Sequence, residues 1–586
     1  MKKLALLLFS LIIIGNSFST GGILKNELPK SEKEFFESGR DNNKRGNGIN
    51  NGAGETDGKT LEDSDENYPK FFIRHINLDI PTTSYKPLIS KKKTDKIIKE
   101  YENRELNIQD IRDLTEKLNN EYARKGYITT KVYLEQNQNI SDGNLRLVVL
   151  EGKIEDITVD DDTSRDKRKE FYAFTNEKDK VLNIYHIDNG IDNINRVESA
   201  DAKLDIVPGE QQGYSRVIVK TNKKKPIRLS IGYEDTIKEK QRYRAGLEYD
   251  NLLGINDNLS FSYRGDENAV KGDKNKENRT RSYSVGYSFP IKSWSFRLSY
   301  DNSEDDNLVI GNSLNYQMKE ESRQYGLNAS KLMFRNSDTK LYLNMGVDIK
   351  RERTYLEGQR LNTQDRNMTV ANVGISGVSK LLKGIGSYGV TYSKGLKMFG
   401  ADRDNQYNAG TLLTSPLYED DNRYNFNKIN VNASYYKPFY FKNQGITTRL
   451  SISGQHTNNA LFSTEKYSIG SFDTVKGFRR SVSGDIGFST KLDISYIFPT
   501  KEGSRLGEFM YKVRPYVEYD FGKVRNNFDE YGNKKGRIAT LSSYSMGVRY
   551  YGEILTLDVG VTKVDKGKSE VNGDDKRGYI VLGMTF

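Results

Sequence analysis

From Pro226 to Phe586 the sequence keeps a two-residue rhythm that only extended backbone satisfies. Between Lys340 and Lys350, the residues Leu341, Leu343, Met345, Val347 and Ile349 alternate with Tyr342, Asn344, Gly346 and Asp348. Tyr283, Val285, Tyr287 and Phe289 alternate with Ser282, Ser284, Gly286 and Ser288 in the same way. So do Leu555, Leu557, Val559 and Val561 with Thr556, Asp558, Gly560 and Thr562. Successive side chains of a strand point to opposite faces, so each run has one apolar face and one small, polar or charged face. A soluble sandwich and a membrane barrel both produce that pattern.

The connections separate the two. About sixteen strands fit the pattern, from 226–235 to 577–586. Connections after even-numbered strands are mostly short, as at 336–339 and 380–384. Several after odd-numbered strands are long, near 303–321, 394–427 and 456–484. Short turns at one rim and long loops at the other describe an outer-membrane barrel, and an even count sets the last strand beside the first. Ile580, Leu582, Met584 and Phe586 share a face, with Phe586 in the position of a barrel C-terminal signal. The 38 Tyr and 51 Gly suit a wall in which only alternate residues touch lipid.

The N-terminus sets the compartment. Lys2 and Lys3 precede an apolar run from Leu4 to Ile14, and Ser17-Phe18-Ser19 places small residues where a signal peptidase reads. A signal peptide over 1–19 is expected. No other run approaches the roughly twenty apolar residues of a membrane helix. Cysteine is absent, which excludes disulfides and thiol chemistry. The net charge of +11 comes from interspersed basic and acidic residues, without a dense basic patch, so nucleic acid is not expected as a partner.

Residues 20–70 are expected to be an N-terminal segment. Ser31 to Ser38, with Phe35 and Phe36, is a candidate helix. An Asn/Gly/Asp/Glu/Lys-rich linker at 40–67 follows it. Together they make a candidate plug helix on a flexible tether, with an unstructured N-terminus as the alternative reading.

Two small α+β units are then expected, at 71–152 and 153–224. In the first, Phe71 to Ile80 reads as a strand. Ile108, Ile111, Leu114, Leu118 and Tyr122 recur at helical spacing, with Asn107 as cap and Gly126 as stop. Strands at 128–134 and 145–151 complete it. In the second, Ile184, Ile187, Ile191 and Ile194 mark a helix before strands at 202–207 and 215–220. A mainly β chain is therefore expected, with a sixteen-stranded barrel at 225–586 behind two α+β units.

This order resembles the TpsB transporters of two-partner secretion, the hemolysin secretion/activation family. The resemblance rests on Gly126-Tyr127-Ile128-Thr129-Thr130-Lys131-Val132-Tyr133-Leu134, Ser141-Asp142-Gly143 and Leu150-Glu151-Gly152-Lys153-Ile154, which look like a POTRA (polypeptide-transport-associated) domain. Val207-Pro208-Gly209 and Gly213-Tyr214-Ser215 carry it in the second unit, and Asp250 to Asp257 looks like the family's first periplasmic turn. Val475-Lys476-Gly477-Phe478 resembles the inward-folded loop motif, and Asp520-Phe521-Gly522 the acidic motif on the wall that receives it. The family's arginine is Lys476 here, and a lysine cannot make a bidentate fork with a carboxylate. Lys476, Arg479 and Arg480 all stand as basic partners for Asp520.

The resemblance implies a transporter that secretes a large partner exoprotein, an adhesin, hemolysin or toxin with an N-terminal secretion domain. It implies no catalysis and no cofactor. Periplasmic chaperones, the barrel-assembly machinery and membrane lipids are the other expected partners. A barrel-assembly factor of the BamA-like kind is the alternative. A porin would leave the two α+β units unexplained, and no catalytic constellation supports an enzyme. His75, His186 and His456 fall in three different elements, so no metal site is expected.

Overall fold

The computed structural model describes residues 68–586 apart from 81–86, 162, 176, 237–240, 272–278, 311–314, 405–421, 442–443, 499–503, 529–535 and 568–575. The expected signal peptide, the candidate plug helix and the linker all lie outside the described residues.

The first unit contains β1 (Phe71–Ile73), β2 (His75–Asp79), α1 (Lys91–Lys99), β3 (Arg104–Leu106), α2 (Ile108–Arg124), β4 (Lys131–Leu134) and β5 (Asn144–Leu150). Asn107 and Asp110 form a reciprocal capping box at the start of α2. Gly126 follows its end at φ +94°, a conformation that costs glycine least. Ile111, Leu114, Leu118 and Tyr122 are buried in the unit's core, whereas Ile108, at the first helical position, stays 38% exposed.

The single strand expected over 71–80 is broken in two. Both Arg74 and His75 donate their N–H to the Gly143 carbonyl (2.7 and 3.2 Å), which redirects the chain between partners. β1 pairs with β3, while β2 runs parallel to β5 in the sheet β2-β5-β4. β4 starts at Lys131 rather than 128, because the Thr130 N–H turns back to the Tyr127 carbonyl.

The second unit contains β6 (Lys153–Val159), α3 (Ser164–Ala173), α4 (Ile184–Asn195), β7 (Ala200–Pro208) and β8 (Tyr214–Lys223). Its sheet runs β6-β8-β7. Ile184, Ile187 and Ile194 enter its own core, separate from that of the first unit. The motif glycines lie where the units meet. The Ile184 N–H donates to the Gly126 carbonyl (2.8 Å) and the Leu182 N–H to the Gly152 carbonyl (2.7 Å). A Cβ on Gly126 would stand 2.5 Å from Asn183 Oδ1, and one on Gly152 would collide with Thr129.

Sixteen long antiparallel strands then close a barrel. In order they are Ile227–Asp235, Arg242–Asp250, Asn258–Asp266, Arg279–Ile291, Trp294–Ile310, Asn315–Arg335, Thr339–Leu356, Arg366–Leu381, Gly384–Gly395, Asn427–Phe441, Gln444–His456, Ile486–Ile497, Val513–Arg525, Ile538–Tyr551, Leu555–Lys566 and Arg577–Thr585. The sixteenth pairs with the first over Ile580↔Asp235 to Thr585↔Ser230. Leu229 and Phe586 exchange backbone hydrogen bonds of 2.8 and 3.2 Å at the end of that seam. Isoleucine, leucine and valine side chains such as Ile231, Leu327 and Val517 cover the outside and are about half exposed.

One expected loop is overturned. Residues 303–321 are largely strand, since the fifth and sixth strands continue their ladder from Asp301↔Gln324 to Ile310↔Asn315. Charged pairs there had masked the alternation. The sixth strand has 21 residues, about twice what a hydrocarbon core requires. At the rim of the short turns, the connection between the twelfth and thirteenth strands holds a helix, Arg505–Lys512.

The second unit docks on three short turns at one rim. The turn at Asn251 accepts from Arg165 Nη2 (2.8 Å), and Asn256 Nδ2 reaches the Lys169 carbonyl (3.2 Å). The Lys292 N–H donates to the Tyr172 carbonyl (2.7 Å), and Asn193 Nδ2 to the Lys292 carbonyl (2.6 Å). Asp192 on α4 takes Arg335 and Lys340 Nζ (2.6 Å), both buried. Burial raises the Asp192 carboxyl, but Arg335 and then Lys340 outweigh it and hold the group below the ordinary aspartate range. The contribution is therefore present at neutral pH and lost as pH falls through the depressed value.

Asp192→Asn leaves two buried cations short of an anion. Because the Asp192 side chain is itself 32% exposed, the expected loss is about 1–3 kcal/mol of docking energy. Proteolysis of the 223–227 connection should quicken while heat-modifiable migration of the barrel stays unchanged. Equal proteolysis rates would refute the role given to Asp192.

Candidate functional site

The connection between the eleventh and twelfth strands turns inward. A 3-10 turn, Ser463–Glu465, leads into a short antiparallel hairpin of Tyr467–Ile469 with Val482–Gly484. Its tip carries Val475, Lys476, Gly477 and Phe478, all buried. Ile469, Val475 and Phe478 pack on Val524, Ala539, Leu541 and Val564. Those four belong to the inward face of strands thirteen to fifteen, whose outward residues include Val517, Tyr544, Met546 and Val561. The hairpin therefore lies in the lumen.

Two glycines let it seat. Gly477 has φ +100°, and a Cβ there would come within 2.7 Å of Val564 Cγ2. At Gly522 a Cβ would stand 2.9 Å from Val475 Cγ2 and 3.0 Å from Ile469 Cγ2. The wall motif thus pairs a carboxylate with a gap in the wall, two residues apart and so on one face.

The charges meet differently from the expectation that the side chain of Lys476, Arg479 or Arg480 pairs with Asp520. Lys476 Nζ lies 2.6 Å from Glu518 Oε1, an ion pair outside good hydrogen-bond angles. Asp520 Oδ2 accepts the Lys476 backbone N–H at 3.1 Å instead. Lys491 on the twelfth strand lies 3.5 Å from Glu518 and 3.9 Å from Asp520, and donates to the Phe472 carbonyl at 3.0 Å. Glu518 and Asp520 are two residues apart on the same inward face, and the longer carboxylate reaches the ammonium. Arg479 and Arg480, the other basic residues of the tip, are exposed.

Sequence reasoning missed the residue that organises the wall. Arg549 on the fourteenth strand donates Nη1 to Asp493 (2.5 Å), Nη2 to Glu518 (3.1 Å) and Nε to Asp558 (3.2 Å). Its guanidinium also stacks 3.5 Å from the Tyr516 ring centroid, and the Tyr516 hydroxyl donates to Asp558 (2.7 Å). Lys476 Nζ sits 4.6 Å from the Phe472 ring, 5.3 Å from Tyr579 and 5.7 Å from Tyr516. Four carboxylates thus face three cations in one enclosed cluster. The signal in the sequence was the inward register of Asp493, Glu518, Arg549 and Asp558 on neighbouring strands.

A second anchor holds the hairpin's other end. Glu465, 2% exposed, pairs with Lys428 Nζ (2.8 Å) and Lys350 Nζ from the tenth and seventh strands. The hairpin base is thus fixed to one wall and its tip to the far wall, so the segment crosses the lumen.

The comparisons with known proteins agree in architecture and order. Residues 213–550 match the family model described as haemolysin secretion/activation protein ShlB/FhaC/HecB. Residues 71–152 match a ShlB-type POTRA domain and 153–208 a further POTRA domain. The outer membrane transporter CdiB of Dickeya dadantii is 27% identical over 467 residues, 79% of this chain and 78% of that protein. The hemolysin transporter protein ShlB of Serratia marcescens is 28% identical over 426 residues, 69% of this chain and 70% of its own. The solved structure of CdiB from Escherichia coli has a similar fold, with a TM-score of 0.76 at 21% identity, covering 96% of this chain and 99% of that one.

A double-mutant cycle separates the two carboxylates. Lys476→Ala and Glu518→Ala are expected to couple by about 1–3 kcal/mol in hydrogen-exchange protection of residues 470–481. Lys476→Ala and Asp520→Ala should be nearly additive, because alanine retains the N–H that Asp520 accepts. The reverse ranking would return the latch to Asp520. Gly522→Leu should unseat the tip and enlarge single-channel conductance in planar bilayers.

Proposed function

We infer that this chain, which belongs to the haemolysin secretion/activation protein family ShlB/FhaC/HecB, moves one partner exoprotein across the outer membrane through its own barrel. The carrying observation is a closed sixteen-stranded barrel whose lumen is crossed by a hairpin held through ion pairs at both ends. Such a barrel is obstructed at rest and widens when the hairpin moves. A non-catalytic role fits, since the cluster's charged groups are engaged with one another and with the hairpin.

The domains follow from this reading: a signal peptide at 1–19, an N-terminal segment at 20–70, periplasmic POTRA domains at 71–152 and 153–224, and the barrel at 225–586. The cargo is read as an adhesin, hemolysin or toxin that carries its own N-terminal secretion domain. Chaperones keep it unfolded in the periplasm, and the barrel-assembly machinery inserts the transporter. β4 is an edge of its sheet and exposes Tyr133 (53%) and Leu134, so an extended segment of cargo can add beside it. A barrel-assembly role of the BamA-like kind has less support, because the lumenal hairpin is fixed at two walls and the family match is to secretion proteins.

Deleting residues 71–222 tests the reading. Each unit has its own apolar core, so the barrel should still fold, insert and migrate in a heat-modifiable manner. Cargo should then accumulate in the periplasm, with export falling at least tenfold. Undiminished export by the truncated protein would overturn capture by these units.

A further inference from the structure

On the outside of strands four to eight, the side chains form horizontal rows that change abruptly from aromatic to cationic. Tyr300 and Tyr325 lie opposite each other with ring centroids 5.0 Å apart, and Tyr283 is 6.1 Å from Tyr300. The next outward row places Arg323 directly opposite Arg351, flanked by Asn302 and Asn367. Like charges opposite each other on neighbouring strands repel. The strands of that row supply no carboxylate, and the one beside it, Asp402, accepts from the Asn367 N–H (2.7 Å) and Nδ2 (3.1 Å).

The row beyond does not compensate. Its two acids, Glu304 and Glu321, are already engaged by Arg281 (2.6 Å) and by Lys319 (3.4 and 2.6 Å). Arg323 reaches Glu321 at only 3.4 Å, with 54% of its side chain exposed. Arg353 donates to Asn367 Oδ1 (2.8 Å) and lies 3.5 Å from Asp365, and Arg351 donates to the Lys350 carbonyl (3.0 Å) and to the Phe399 carbonyl. Over these rows Arg281, Lys319, Arg323, Arg351 and Arg353 outnumber the facing acids Glu304, Glu321 and Asp306, with Asp365 3.5 Å from Arg353 Nε at the edge.

The height of the patch identifies its surroundings. Arg335 marks the rim where the second unit docks, and Arg323 lies twelve residues away on the same strand, with one bulge near Met333 between them. At about 3.4 Å per residue and a tilt of about 45°, the separation along the membrane normal is roughly 28 Å. That is one hydrocarbon thickness, so the tyrosine row sits at the outer interface and the arginine row at headgroup level.

Resting on the outer-membrane reading above, we propose that Arg323 and Arg351 form a binding site for the phosphorylated headgroup of a glycolipid in the outer leaflet. Its acyl chains lie along Leu298, Leu327 and Val373, below the tyrosines and exposed outward. The phosphate accepts from two planar guanidiniums at once, a geometry that matches arginine better than lysine. The bound headgroup adds an anion between two opposed arginines and fixes the base of the extended fifth and sixth strands.

The test uses the full mature chain in detergent, titrated with fluorescent bis-phosphorylated lipid A. Arg323→Gln with Arg351→Gln should weaken binding at least tenfold. Lys523→Gln with Lys563→Gln, outward-facing on another part of the wall, should leave it unchanged. Lipid A stripped of its phosphates should bind the native chain at least tenfold more weakly, and millimolar inorganic phosphate should not displace the intact lipid. Heat-modifiable migration and vesicle insertion check the fold and the outer-membrane reading independently. If the double variant does not fold, Arg323→Gln and Arg351→Gln singly should each lose about threefold. Unchanged affinity in a folded variant, equal binding of the dephosphorylated lipid, or displacement by free phosphate would each overturn the proposal.

Discussion

A strand that crosses lipid must find a partner for every N–H and C=O, because no water is present to take their place. Everything else in this chain is arranged around that requirement. Fifteen of the sixteen junctions between barrel strands join neighbours in sequence, and the sixteenth must join the two ends. The sixteenth strand meets the first through only six paired residues, extended by the reciprocal bonds of Leu229 with Phe586. Closure places Pro226, just after β8, at the same rim as the short turns. The second unit consequently has those turns to dock on, and Asp250, Asn251, Lys292 and Arg335 are the residues that receive it.

A closed wall of sixteen strands encloses more space than its own side chains fill. The hairpin between strands eleven and twelve occupies part of it, which brings backbone and charge into a confined site. Burying a charge without a partner is costly, so the position of each cation dictates a carboxylate nearby. Glu465 answers Lys350 and Lys428 on one wall, and Glu518 answers Lys476 on the other. Apolar packing of Val475 and Phe478 over Gly522 and Leu541 then sets the depth of the tip.

The alternation made most barrel strands legible to within two or three residues, because lipid outside and a polar lumen inside impose the same period on every strand. It failed at 303–321, where both faces carry charge above the membrane and no contrast remains. The pattern also gave α2 and α4, one helix of each small unit, whose buried stripes are local, but did not locate α1 or α3. It could not give the break at Arg74, which depends on a hydrogen bond to Gly143 some seventy residues later. The lumenal site was half legible. The hairpin tip and Asp520 stand in recognisable motifs, but Lys491, Glu518 and Arg549 become neighbours only through strand register. Two-residue spacing had already set Glu518 and Asp520 on one face, and that was the available signal.

The lysine in the hairpin motif acquires a physical meaning from Arg549. A guanidinium has a fork of donors, and here that fork lies on the wall, where it engages Asp493, Glu518 and Asp558 together. Lys476 contributes a single point charge to the same cluster. When the tip withdraws, Glu518 keeps Arg549, and Asp520 keeps Lys491 as its neighbouring cation. Neither carboxylate is left alone, so the penalty for breaking a buried pair falls on the ammonium. That ammonium leaves the rings of Phe472, Tyr516 and Tyr579 for a lumen open to water, where it is readily solvated. An arginine on the tip would have to break a bidentate contact to make the same move. Placing the fork on the wall and the point charge on the moving segment therefore keeps the resting lumen ordered while lowering the cost of opening it.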